Sequence, residues 1–386
     1  MKKSNFWIYL LSASVYFAQG FENLPSLSVF FFLKENLHLN ESQIMFYSSL
    51  ITLPWILKPL GGHFIDNYLS KKKWILLSLT GSLIFAGVLG LLPTLPLLWL
   101  IITMTITSLF TAVRDISTDG LACVTGKENA TTGRFQSIAW GFLTFAGLLT
   151  GIFGGYIAEH WTYQMAYLLL LPMYLIIIGI TLNYKPILVQ YSKQNLLQTF
   201  EQLFLDKRIL LVCLFLFLYK FSPAFGTPLT FIMKDNFHFS KQFLGILDSI
   251  SAGFGILGAW LYWHYSKKIN MNKCLIISVI IGAILTLCYL IFTPITAIIY
   301  NCLFAPISMM ISLLILDWMA QNSKTNLEST SFALLCSISN LASMCNGFAG
   351  SFLFPIIGLQ WLIIISALTS FACLPIIPFL KGEKDV

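Results

Sequence analysis

Apolar segments of about twenty residues or more recur along the chain, separated by short polar joints, and this punctuation leaves few folds open. Hydrocarbon is crossed by helices of about 20 apolar residues, because the backbone must satisfy its own hydrogen bonds there. Only 10% of the 386 residues are charged and 57% are hydrophobic, whereas a soluble domain carries about 25% charged residues. The apolar runs predict helices at 6–33, 42–66, 74–93, 96–124, 134–158 and 163–184, then at 208–233, 241–264, 274–293, 295–320, 329–354 and 358–380. The longest polar stretch, Lys185 to Arg208, divides them six and six. The expected organisation is an all-α membrane protein of twelve transmembrane helices. An N-terminal six-helix bundle spans 1–184, a cytoplasmic central loop 185–207 and a C-terminal six-helix bundle 208–386.

Charge then orients the chain. A net charge of +7 would suit nucleic acid if it lay on one soluble face, but the basic residues sit in short clusters between apolar segments. Lys71-Lys72-Lys73, Lys127 with Arg134, the central loop, Lys267-Lys268 with Lys273, Lys324 and both termini fall on one side; Lys34, Lys234 and Lys241 fall on the other. By the positive-inside rule the termini and the central loop are cytoplasmic. Lys2-Lys3 before an apolar run resembles a signal peptide, yet Gln19 and Glu22 lie inside that run and no convincing cleavage site follows, so it reads as a retained first helix. A multi-pass protein of a bacterial inner membrane is the simplest expectation. All eight cysteines lie in or beside apolar stretches without a Cys-x-x-Cys pair, which points to packing rather than disulfides or zinc.

The chain also repeats itself. Lys34-Glu35-Asn36-Leu37-His38-Leu39-Asn40 returns 200 residues later as Lys234-Asp235-Asn236-Phe237-His238-Phe239-Ser240. Asp115 has a counterpart in Asp317, and Ser137-Ile138 returns as Ser337-Ile338. Two halves with six crossings each and the same topology make a parallel repeat about an axis along the membrane normal, an organisation found in carriers. The repeated loops lie on the outer face and register the two halves, so the chemistry is expected deeper.

Nine ionisable residues fall within the predicted helices or at their ends: Glu22, Lys58, Asp66, Arg114, Asp115, Asp119, Lys220, Asp248 and Asp317. Each costs about 2.5–3.5 kcal/mol at the bilayer centre on insertion scales, so each is expected to face a partner or a cavity. A static pair is the plain alternative for every one of them. Asp115 and Asp119 share a helix face with Arg114 about 100° away, an arrangement that can hold an exchangeable proton or lock neighbouring helices. In the first helix Gln19, Glu22, Asn23 and Ser26 form a polar stripe beside Pro25. Lys220, in Tyr219-Lys220-Phe221-Ser222-Pro223, occupies the repeat counterpart of that region and offers a cation to an anionic group or a salt bridge to an acid. Pro54, Pro59, Gly61 and Gly62 bend and thin the second helix around Lys58. Asp66 before the triple lysine resembles the cytoplasmic gating motif of the major facilitator superfamily. No metal-ligand spacing, glycine-rich phosphate loop or nucleophile–base set is present, so neither an enzyme nor an ATP-driven pump is expected.

Taken together, Pro54-Trp55-x-x-Lys58-Pro59-x-Gly61 with Asp66, Asp115-x-x-x-Asp119-Gly120, Gln136-Ser137-x-x-Trp140, Phe243-Leu244-Gly245 with Gly258-x-x-x-Tyr262, and Glu328-x-Thr330-x-Phe332-Ala333-Leu334-Leu335-x-Ser337-Ile338-Ser339-Asn340 resemble the folate–biopterin transporter family of the major facilitator superfamily. The chain departs from that pattern at Arg114, where a small residue is commoner. The resemblance implies the major facilitator fold and a secondary carrier of folates or related pterins, coupled to protons and working by alternating access without a cofactor. Carriers of S-adenosylmethionine occur in the family, and muropeptide permeases share the repeated aspartate. A receptor that kept the fold without transport is the rival from another class. The expected substrate-binding residues are Gln19, Glu22, Arg114, Lys220, Gln136 and Asn340. Glu22, Asp115, Asp119 and Asp317 are expected to couple protons, and Lys58 and Asp66 to gate.

Overall fold

Helix is the backbone conformation that hydrocarbon tolerates best. The structure is a computed structural model; it describes residues 3–129, 132–184, 201, 203–265, 270–323 and 328–380. The fold is all-α, with no strand among the described residues. The first half contains α1 (Lys3–Phe21), α2 (Ser26–Phe31), α3 (Glu41–Ile51), α4 (Lys58–Asn67), α5 (Lys71–Leu91), α6 (Leu97–Asn129), α7 (Thr132–His160) and α8 (Tyr163–Asn183). The second contains α9 (Lys207–Lys220), α10 (Gly226–Asp235), α11 (Lys241–Tyr265), α12 (Met271–Cys288), α13 (Pro294–Gln321) and α14 (Glu328–Ser370), closed by a 3-10 segment at Phe371–Leu380.

These elements make the twelve expected crossings, but three of the crossings are broken. The first is α1, a turn at Glu22–Pro25, then α2 and a π-helical turn at Phe32–Asn36. The second is α3, a 3-10 segment at Leu53–Leu57, then α4. The seventh is α9, a non-helical stretch at 221–225, then α10. Pro25, Pro54, Pro59 and Pro223 sit at these breaks, and a proline cannot donate the bond that would continue the helix. In contrast, the eleventh and twelfth crossings are joined almost without a loop in α14. They meet at Gly358, whose φ of 73° and ψ of 175° are strained for any residue with a Cβ.

The chain packs as two units. One contains α1, α2, α4–α8 and the first half of α11; the other contains α3, α9, α10, the rest of α11, and α12–α14. In the first unit α1 lies on α7 closely enough that a Cβ on Gly20 would strike the Leu143 carbonyl, and Gly81 lies beneath the Phe110 ring. Small residues at such crossings let helices approach where no water drives them together. In the second unit Val212, Phe215 and Leu216 of α9 pack with Leu275, Trp318 and Leu335 in a buried cluster.

The repeat is written into the backbone as well. His38 and His238 both take the left-handed conformation, with φ of 52° and 56°. Each lies two residues before a polar cap: Asn40 accepts from the Gln43 N–H at 2.9 Å, and Ser240 Oγ from the Phe243 N–H at 3.0 Å. The repeated loop thus ends one helix and starts the next.

Candidate functional site

Each broken crossing carries an ionisable side chain at its break. Glu22 is in the turn between α1 and α2, Lys58 follows the 3-10 segment of the second crossing, and Lys220 is the last residue of α9. Irregular backbone at membrane depth is tolerated only where protein or an aqueous cavity covers it.

In the first unit Glu22 is the centre of a network. Its carboxylate pairs with Arg114 of α6 at 2.5 Å and accepts from the Tyr174 hydroxyl of α8 at 2.8 Å and the Thr111 hydroxyl at 2.8 Å. Arg114 is 0% exposed and also reaches Ser82 of α5 at 3.4 Å. A guanidinium held this way is neutralised where it sits, and it ties the turn of the first crossing to α5, α6 and α8. Next to Arg114 on α6, Asp115 pairs with Lys58 at 2.5 Å, and one turn further Asp119 accepts from Tyr16 of α1 at 2.5 Å. The shared face of Asp115 and Asp119 therefore turns two carboxylates towards two different crossings. Gln19 is half-buried. The side chains of Asp66 and Gln136 lie outside the described residues.

In the second unit the break of the seventh crossing is held by side chains from more than 120 residues away. Asn346 accepts from the Ser222 N–H at 2.8 Å and donates to the Lys220 carbonyl at 3.0 Å, while its own carbonyl accepts from the Ala224 N–H at 2.9 Å. Ser366 donates to the Pro223 carbonyl at 2.6 Å. Four backbone groups that the broken helix leaves open are satisfied by these two residues. Among the described residues no carboxylate pairs with the Lys220 ammonium. Asn340 of α14 does for the second crossing what Asn346 does for the seventh, donating to the Trp55 carbonyl at 3.1 Å. Ser337 and Ser339 beside it are buried hydroxyls without a partner among the described residues.

Asp317 shows how the repeat kept geometry and changed chemistry. Asp115 reaches from the fourth crossing to Lys58 of the second; Asp317 reaches from the tenth to Tyr262 of the eighth, which donates to it at 2.8 Å. Sequence reasoning singled out the charged members of these sites but missed their neutral partners. Tyr174 is a lone polar residue in an apolar run, whereas Thr111, Asn346 and Ser366 sit near other small polar residues that gave them no distinguishing signal.

Comparison with known proteins agrees with this architecture. Residues 19–384 match the BT1 family. The folate-biopterin transporter of Synechocystis is 26% identical over 98% of this chain and 83% of its own. Folate transporter 1 of Plasmodium falciparum is 23% identical over 89% of this chain and 72% of its own. Among solved structures, a D-xylose–proton symporter superposes with a TM-score of 0.78 at 12% identity, over 97% of both chains. A nucleoside transporter does so with a TM-score of 0.74 at 16% identity, over 97% of this chain and 99% of the other. At such identities these structures speak for the fold alone, which is the twelve-helix fold of major facilitator transporters. The family match covers nearly the whole length: the chain belongs to the BT1 family, and it is a membrane transporter, not an enzyme.

Proposed function

We propose that the protein moves a folate or related pterin across the bilayer by alternating access, coupled to protons, with both termini in the cytoplasm of a bacterial cell. The observation that carries this reading is the Lys220 ammonium. It stands at a helix break inside the membrane with no carboxylate partner among the described residues, while Arg114 and Lys58 are each paired within a few ångströms. A cation left unpaired in an apolar setting is costly unless an anion comes to it, and the glutamate tail of a folate supplies one. The names of the Synechocystis and Plasmodium relatives support the same cargo. In this reading Gln19, Asn340 and Gln136 line the path. Glu22, Asp115 and Asp119 exchange the proton with Asp317 as the charge partner of the second half, and Lys58 and Asp66 gate the cytoplasmic side. Arg114, placed by sequence among the cargo ligands, contributes by holding Glu22 at the break of the first crossing.

The cargo class is tested by thermal shift of the purified protein with folate, biopterin, S-adenosylmethionine and a muropeptide, since a ligand stabilises the state it binds. A rise in unfolding temperature with folate or biopterin alone is expected. A rise only with S-adenosylmethionine or the muropeptide overturns the cargo and leaves the carrier.

A further inference from the structure

Asp248 is the ionisable residue of the membrane segments that the network above does not use. It lies seven residues into α11, about 10 Å along the axis from Lys241, and no ion pair or hydrogen bond engages it among the described residues. The residues on its side of the helix are packed: Leu244 one turn before, and Gly255 and Tyr262 at two and four turns after, are all buried. Phe254, Leu257 and Trp260, on the other side, are exposed, and Ile256 and Trp263 are exposed on the flank between. Asp248 nevertheless is exposed. A charge facing lipid would be too costly, so an accessible carboxylate in line with packed residues before and after it looks onto internal space.

The repeat sharpens the point. Ser249 and its counterpart Ser49 are both buried, and each meets a glycine of a facing helix: Gly151 for Ser249, Gly347 for Ser49. Ser249 Oγ in addition donates to the Leu148 carbonyl at 2.7 Å. The packing contact was therefore kept in both halves and fixes the helix rotation at this level. The preceding position is exposed in both halves as well, but it is Ser48 in one and Asp248 in the other. Duplication supplied the placement, and only the second half acquired a charge there.

We propose that Asp248 is a cargo-binding carboxylate that takes a planar edge bearing two adjacent N–H donors, of the amidine or guanidine kind. Its two oxygens match such an edge in a bidentate pair, which fixes the orientation of a flat ring as well as its affinity. Resting on the function proposed above, this assigns Asp248 the adjacent 2-amino and N3–H donors of the pterin ring.

The test compares pterin with lumazine, which has an oxygen in place of the 2-amino group, by binding titration of the full-length protein in detergent. The unaltered protein is expected to prefer pterin by about tenfold or more. The preference should vanish in Asp248→Asn and survive in Asp248→Glu, and p-aminobenzoylglutamate, which lacks the ring, should bind all three proteins alike. An undiminished preference for pterin in Asp248→Asn overturns the inference alone. So does equal binding of the two rings by the unaltered protein, which needs no variant to fold. Absence of any pterin or folate binding to the unaltered protein overturns the reading on which the inference rests, and the inference with it.

Discussion

A buried ion pair and an unpaired charge at a helix break make opposite demands on a protein, and both kinds occur here. Glu22 and Arg114 are enclosed together, and removing one leaves the other charged without a partner. Glu22→Gln and Arg114→Met are each expected to destabilise the protein by about 3–5 kcal/mol, with the double variant well short of the sum, in denaturant titrations of the detergent-solubilised protein. Lys220 has no such partner to strand. Lys220→Met is expected to leave stability almost unchanged and to weaken folate by about 10- to 150-fold, the worth of a charge-assisted hydrogen bond of about 1.5–3 kcal/mol. Binding of biopterin, which has no carboxylate, should change little by the same titration. Loss of both ligands alike would mean that Lys220 shapes the site without meeting the anion. The sequence displayed all these charges but not their pairing. Glu22 and Arg114 are 92 positions apart, and nothing local distinguishes an arginine that meets cargo from one that holds a carboxylate.

The elements were legible where hydropathy decides them and obscure where a distant side chain does. The long apolar helices α5, α8 and α13 fall close to their predicted bounds, because in hydrocarbon an apolar run of sufficient length has no alternative to helix. The first and seventh crossings were drawn as continuous although Pro25 and Pro223 were in view. A proline in a membrane helix kinks it or breaks it according to whether something else satisfies the freed groups, and here Asn346 and Ser366 do so from the far end of the chain. Asn346→Ala is therefore expected to cost about 1–3 kcal/mol for each group it strands. It should also lower folate affinity by displacing Lys220, with Asn346→Asp recovering only the Ser222 contact; paired unfolding and binding titrations read both effects. At the junction of the last two crossings, Gly358→Ala should lower stability by about 1–2 kcal/mol, as expected of a Cβ in that backbone region.

At the scale of the molecule the duplication was the most legible feature, and it foretold the architecture better than the site. It fixed the two loops around His38 and His238 and the parallel placement of Asp115 and Asp317. The two packing units also divide within the second and eighth crossings: α3 belongs with the later helices, and the first half of α11 with the earlier ones. Gly155 and Gly245 meet there so closely that neither has room for a side chain. In the alternating-access reading proposed above, this contact is released and remade. Gly155→Leu is expected to reduce uptake more than tenfold while membrane insertion and cargo binding remain, measured on the same vesicles.

What distinguishes the halves is charge, with Glu22 and Arg114 in one, Lys220 in the other, and Asp248 where the repeat offers Ser48. Uptake of radiolabelled folate into proteoliposomes, with and without an imposed pH gradient, tests most directly whether these groups serve transport. Accumulation above the external concentration that needs the gradient and collapses with a protonophore is the expected result. Saturable binding without accumulation, or no uptake by correctly inserted protein, would contradict it.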